Sequence, residues 1–290
     1  MNGTAPAFRS VTGLRAHFHR RARLNFAIIG AEKAGTTALF AYLRRVPGIY
    51  MPVVKELCFF DREQRYRDGS DFSRLHMWFA FAPRGAILGD ATPTYLMHPY
   101  CLRRIYDYNP DIKVIAILRS PVRRAYSAWN YRRARLRDKR DFLTAVRVEV
   151  ESAGDVAVAR ENKYRYVGAG YYAEQIRAVR RVFPPENLML LKYEDFDRDQ
   201  IGHVCAAARF VGASDVPTPR LRRVNVWRYP RPISEAEFYE VLAHYADEIA
   251  EVEALTGWDC SDWRTFRGRG KKRALAPDSG LAAGVASPAM

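Results

Sequence analysis

Paired cysteines are missing from this 290-residue chain: Cys58, Cys101, Cys205 and Cys260 stand far apart, with no CxxC among them. That spacing excludes a zinc signature and a disulfide framework and points to a reducing compartment. Long apolar runs are missing as well, none approaching the roughly 18 residues of a membrane span. Residues 1–24 carry basic groups but no apolar core ahead of a cleavage site. The expectation is a cytoplasmic protein without stable membrane insertion, its residues 1–23 forming a basic arm; a transit peptide is the other reading of that segment. His17, His19, His76, His98, His203 and His244 show no metal-ligand spacing, so no metal is expected. Lysine is scarce, with eight against 39 arginines.

Charge of one sign is nevertheless abundant: 47 basic against 32 acidic residues leave a formal charge of +15. Arginine presents a planar fork that matches phosphate or sulfate, so an anionic partner is expected. A basic nucleic-acid or polyanion binder is the competing reading, but no nucleic-acid motif occurs and solvated helix faces account for such charge equally well. With 48% hydrophobic and 13% aromatic residues the chain is globular rather than disordered.

Apolar runs alternate with helical patterns. Asn25–Ile29 reads as a strand, followed by a small-residue turn and a helix through Leu39, Leu43 and Val46 that Pro47 and Gly48 stop. Lys113–Leu118 reads as another strand; Ser120 can cap and Pro121 can open a helix reaching about Arg135. Ala86–Leu88 and Leu188–Leu191 are further strand candidates, the latter after a helix from about Tyr172 to Val182. Residues 234–256 read as one C-terminal helix, with Ser234 as cap, Glu237 three residues on, and Gly257 as its stop. This alternation predicts an α/β fold: a single P-loop-type domain over 24–266 with a central parallel sheet flanked by helices. A disordered, basic and Ala/Pro/Gly-rich tail is expected at 267–290.

Gly30-Ala-Glu-Lys33-Ala34-Gly35-Thr36-Thr37 occupies the place of a first βα phosphate loop, where helix N–H groups and dipole favour an anion. Its glycine spacing matches a Walker A loop, yet position 36 is threonine and the lysine sits inside the loop at 33. That shift keeps a phosphate cradle and abandons the Lys and Mg²⁺ arrangement of ATP hydrolysis. Taken alone, the loop is equally well a βα turn with no ligand.

Further motifs follow in order: Lys55-Glu56-Leu-Cys58-Phe-Phe-Asp61, Ile117-Leu-Arg119-Ser-Pro-Val-Arg-Arg-Ala-Tyr-Ser127, Gly170-Tyr-Tyr, and Leu190-Leu-Lys-Tyr-Glu-Asp-Phe196. The ordered set resembles the sulfotransferases that use 3′-phosphoadenosine 5′-phosphosulfate, above all their carbohydrate-type, heparan-sulfate-like branch and bacterial relatives. The resemblance covers roughly 24–265. It implies that Lys33, Ala34, Gly35, Thr36 and Thr37 wrap the 5′-phosphosulfate, with Lys33 stabilising the leaving phosphate. It implies that Arg119 and Ser127 hold the 3′-phosphate. Glu56 matches the acidic residue that takes the acceptor's proton, a role that suits a carboxylate in a partly desolvated cleft. Outside the resemblance, Glu56 is a surface carboxylate paired with Lys55. Asn225-Val-Trp-Arg-Tyr-Pro230 resembles the family's closing loop, making Trp227, Arg228 and Tyr229 candidates for cofactor contacts. Lys55, Cys58, Asp61 and Tyr95 are candidate acceptor contacts, and the acceptor is expected to enter between 56–61, 62–81 and 132–169.

Two departures bear on the acceptor. Cys58 stands where some heparan-type relatives have histidine, and Asp90 stands where some have lysine before Thr-Pro-x-Tyr. Both argue against a glycosaminoglycan. The expected activity is transfer of a sulfuryl group to a hydroxyl of a small molecule (a secondary metabolite or glycolipid) or a carbohydrate, without metal. Sulfation of an anionic polysaccharide and ATP-dependent phosphoryl transfer are the alternatives. Cys58, flanked by Leu57, Phe59 and Phe60, reads as a small buried thiol rather than a nucleophile.

Overall fold

The computed structural model describes residues 23–66, 71–152, 165–216 and 229–268 of the chain. All but the last residue of the expected arm and nearly all of the expected tail lie outside them. Five parallel strands form one sheet: β1 (Phe26–Gly30), β2 (Ile49–Tyr50), β3 (Ile87–Ala91), β4 (Lys113–Leu118) and β5 (Leu188–Lys192), in spatial order β2-β3-β1-β4-β5. Among the described residues, the helices longer than one turn are α1 (Thr36–Leu43), α2 (Pro99–Tyr108), α3 (Pro121–Arg133), α4 (Phe142–Ser152), α5 (Tyr172–Val182), α6 (Tyr193–Arg198), α7 (Gln200–Phe210), α8 (Glu235–Leu242) and α9 (Ala246–Thr256).

The central strands are apolar at nearly every position because both faces are covered. In β1, Phe26 and Ile28 enter one apolar layer, with Leu39 and Leu43 of α1 and Val204 and Ala207 of α7. Ala27 and Ile29 enter the other, with Leu102 and Ile105 of α2, Val122 and Trp129 of α3, and Ile176 and Val179 of α5. The α/β class and the parallel sheet agree with the expectation.

β1 is the switch point of this sheet. From it the chain moves outward to β2 and β3 on one side and later builds β4 and β5 on the other. The loops leaving β1 and β4 therefore diverge and open a crevice at the strands' carboxyl ends, where ligands of open α/β sheets bind.

Two local expectations are corrected. Ser120 precedes α3 and Pro121 opens it, but the Ser120 side chain makes no capping bond; its N–H instead donates to Glu194 Oε1 at 3.1 Å. The expected 234–256 helix is broken at Ala243–Tyr245. The reason is packing: α8 lies against α3 and α4, whereas α9 lies against α5. Between them the fully buried Tyr245 ring reaches across to donate to the Val167 carbonyl at 2.8 Å. Both ends of the segment behave as expected: Ser234 and Glu237 form a reciprocal capping box, and Gly257 stops α9 at φ 72°.

Candidate active site

β1 ends at Gly30, and the next residue is tied across to β4 through Ala31 N–H donating to the Ile117 carbonyl at 2.8 Å. The loop then turns through Lys33 at φ 67° and Gly35 at φ 104°. Glycine is required at 35, since a Cβ there would stand 2.8 Å from the Tyr193 ring as well as strain the backbone. Gly35 is also the N-cap of α1 and brings no side-chain cap, and the first turn of α1 holds no acidic residue. The leading N–H groups and dipole of α1 are thus open to an anion. Thr36 is buried and Thr37 half-buried at this helix start, behind the buried Ala34.

The Lys33 ammonium lies 4.0 Å from the centre of the Tyr131 ring of α3, and the Arg135 guanidinium lies 3.7 Å from the same ring. Burial lowers the Lys33 pKa to about 8, helped by Arg135 and Arg119 and opposed by Glu32 and Glu56. A lysine so placed holds its proton less firmly than an ordinary one until negative charge arrives beside it.

Arg119 follows β4 and donates from one terminal nitrogen to the Lys33 carbonyl at 3.3 Å. Its guanidinium stacks 4.7 Å over the Tyr193 ring and hydrogen-bonds the Tyr229 hydroxyl. That hydroxyl in turn donates to Ser127 Oγ at 2.9 Å. Arg119 and Ser127, eight positions apart, therefore meet on one phenol contributed from a hundred residues later. Arg119 Nε and Ser120 Oγ are buried with no hydrogen-bond partner. Two orphaned polar atoms beside an open helix N-terminus and a cluster of cations fit a ligand that carries more than one anionic group. Of the remaining late-chain candidates, Trp227 and Arg228 lie outside the described residues.

Glu56 occupies the loop that runs from β2 past the end of β3. Its backbone is left-handed at φ 68°, as is that of Cys58 at φ 50°. Together with Lys33 these make three of the four non-glycine residues with positive φ among the described residues, and strain of this kind gathers at functional sites. The Glu56 side chain is 52% exposed and its Oε1 accepts from the Lys55 ammonium at 2.6 Å. The cleft at Glu56 is therefore more open than the sequence suggested, and the pairing with Lys55 is present. Glu56 still lies near enough to influence the Lys33 ammonium.

Cys58 is half-buried, and burial followed by the nearby Asp61 pushes its thiol up to about 11, so it is no nucleophile. Asp61 is half-buried and accepts from the Thr94 hydroxyl at 2.6 Å. Tyr95 is a correction: it is wholly buried, its hydroxyl committed to the Phe59 and Phe60 N–H groups, and it has no surface with which to touch an acceptor. Among the described residues, no three of His, Cys, Asp and Glu gather in a group that could hold a metal.

Three contributors were not assigned roles from the sequence. Tyr131 seats Lys33. Tyr193 packs on both Gly35 and Arg119. Glu194, whose carboxyl is pushed up by burial, holds the Ser120 N–H and the Trp263 indole. The 190–196 motif was visible as a pattern; the contacts it makes were not.

Residues 25–225 match the family model described as a sulfotransferase domain. The heparan sulfate glucosamine 3-O-sulfotransferase 6 of Mus musculus is 29% identical over 197 residues, 67% of this chain and 53% of that protein. The membrane-associated sulfotransferase kil1 of Dictyostelium discoideum is 32% identical over 108 residues, 37% of this chain and 22% of that one. The chain thus spans about half the length, or less, of these curated relatives. The crystal structure of a sulfotransferase from Alicyclobacillus acidocaldarius superposes with a TM-score of 0.70 at 30% identity, covering 84% of this chain and 100% of that one.

Proposed function

The chain belongs to the sulfotransferase family, and on that premise we propose that it moves a sulfuryl group from 3′-phosphoadenosine 5′-phosphosulfate to the hydroxyl of a small-molecule acceptor. The observation that carries the reading is the joining of the Lys33 loop to the Arg119–Tyr229–Ser127 cluster at the switch point of the sheet. One end suits a 5′-phosphosulfate, the other a 3′-phosphate. The donor would supply the sulfuryl group and depart as the 3′,5′-bisphosphate.

The protein's part is positioning and charge. Lys33 and the N–H groups opening α1 oppose the charge that builds on the departing 5′-phosphate as its oxygen–sulfur bond breaks. Arg119, Tyr229 and Ser127 hold the far phosphate, so the sulfur is presented at a fixed place. As the acceptor oxygen bonds to sulfur, its proton passes to Glu56. Lys55 holds Oε1, which leaves Oε2 to receive it.

A neutral hydroxylated acceptor, a secondary metabolite or glycolipid, is favoured over an anionic polysaccharide. Asp61 and Glu56 bear electrostatically on Cys58 against the opposing Arg62, and neither Cys58 nor the buried Asp90 offers the cation that a polyanion would need there. Val53 and Val54, immediately before Lys55, are 80% and 51% exposed and offer apolar contact. The cysteine spacing supports the cytoplasm as the site of action.

Calorimetric titration with 3′-phosphoadenosine 5′-phosphate, against ATP with Mg²⁺, tests the donor site. Binding that depends on the 3′-phosphate is expected; a preference for ATP with Mg²⁺ refutes the reading. Glu56→Gln should leave that affinity near the parent value and slow turnover by about 10²-fold or more.

A further inference from the structure

The Thr-Pro-x-Tyr stretch after β3 has no part in the reaction described so far, yet it grips the Glu56 segment residue by residue. Glu56 N–H donates to the Ala91 carbonyl at 3.1 Å. Leu57 N–H goes to the Asp90 carboxylate, and Cys58 N–H to Thr92 Oγ1 at 3.3 Å. Phe59 and Phe60 N–H go to the Tyr95 hydroxyl at 3.0 and 3.4 Å. Five consecutive backbone donors are taken by four neighbouring residues, and Thr94 closes the run by donating to Asp61 at 2.6 Å.

Asp90 stands at the centre of this arrangement. Its carboxylate also accepts from the Thr92 hydroxyl at 2.8 Å and from the Tyr95 hydroxyl, so it orients both of the side chains that hold residues 58–60. It lies within β3 and pairs in register with Ala27 of β1, while the Thr92 N–H donates to the Ile28 carbonyl at 3.1 Å. The grip is therefore built on the strand that leads into the Lys33 loop. Asp90 is 2% exposed, and a carboxylate is kept in such a place only when its lone pairs are used. The left-handed backbone of Glu56 and Cys58 needs this support, since neither residue favours that conformation by itself.

We propose that Asp90, acting through Thr92 and Tyr95, is the positioning residue for Glu56: it holds the base-bearing segment on the end of β3 and takes no part in binding the donor. This rests on the reading of Glu56 as the base. Where a lysine at position 90 would reach toward an anion, the aspartate instead spends its charge on its own chain.

The test compares Asp90→Asn, Thr92→Val and Tyr95→Phe with the parent protein. Asparagine keeps one acceptor and turns an amide NH₂ toward hydrogen-bond donors; the other two variants remove one hydroxyl each and guard against a failure of Asp90→Asn to fold. Hydrogen exchange at amides 56–60 should be protected in the parent and speed up by about tenfold or more in the variants, with β1 and β4 unchanged. Affinity for 3′-phosphoadenosine 5′-phosphate should stay within about twofold. Transfer from radiolabelled donor to water should slow by about 10- to 100-fold, the cost of a misplaced reacting group. In a Glu56→Gln background, Asp90→Asn should cost less than about twofold, because nothing remains to be positioned. Unchanged exchange at 56–60 in all three variants overturns the proposal, as does an equal rate loss in both backgrounds. An impaired Glu56→Gln beside an unimpaired Asp90→Asn sinks the positioning role alone; an unimpaired Glu56→Gln sinks the functional reading itself.

Discussion

Binding of an anionic nucleotide should draw a proton onto Lys33, and the amount follows from the site. In the free protein burial and the guanidinium groups of Arg135 and Arg119 bring this lysine to about 8. Phosphate oxygens beside it would restore a value near the ordinary lysine range of about 10.4. The free lysine carries its proton about 90% of the time at pH 7, about half the time at pH 8 and about 10% at pH 9. Uptake on binding 3′-phosphoadenosine 5′-phosphate should accordingly rise from about 0.1 proton at pH 7 through about 0.5 at pH 8 to about 0.9 at pH 9. Calorimetry in buffers of different ionisation enthalpy measures this directly, since the apparent enthalpy varies linearly with buffer enthalpy and the slope is the number of protons. Lys33→Arg should bind with no such slope, because arginine remains charged across this range. In turnover the same titration appears as loss of kcat/KM when pH rises through about 8, the uncharged amine being unable to meet the leaving phosphate. A parent protein with no uptake at pH 8, or an arginine variant with undiminished uptake, refutes the argument.

Tyr229→Phe removes the hydroxyl that joins Arg119 to Ser127 and should weaken binding of the 3′-phosphorylated nucleotide by roughly 10-fold while barely affecting adenosine 5′-phosphate, as paired titrations would show. Gly35→Ala places a methyl group against Tyr193 at a φ that alanine resists, and should cost about 1–3 kcal/mol in chemical denaturation together with donor binding. Glu237, buried to 7% exposure, is brought to about 2 chiefly by its hydrogen bonds to Arg231, despite the opposing effect of burial. A carboxyl lowered on folding stabilises fully above its unfolded value near 4.5 and loses that contribution as pH falls towards about 2. The melting-temperature gap between the parent and Glu237→Gln should therefore narrow from pH 7 to pH 3; a constant gap would be contrary to the assignment.

Local patterns determined much of this protein. The apolar runs at 113–118 and 188–191, the Pro121 helix start, the Ser234–Glu237 box and the Gly257 stop are short-range physics, each readable from a few neighbouring residues. The phosphate loop with Lys33 stood out in the same way, whereas Glu56, Arg119 and Ser127 were marked only by the ordered motifs that carry the family resemblance. Distance in sequence concealed the rest. Nothing near Ser127 announces that Tyr229 will stand between it and Arg119. Nothing near Tyr95 says that its ring is buried and its hydroxyl spent on residues 59 and 60. The C-terminal segment has an unbroken helical pattern, yet it breaks because its halves rest on different helices. Sequence periodicity reports which side of an element is apolar; which partner covers that side, and hence which polar groups are left to meet a ligand, is decided only when the strands take their order in the sheet.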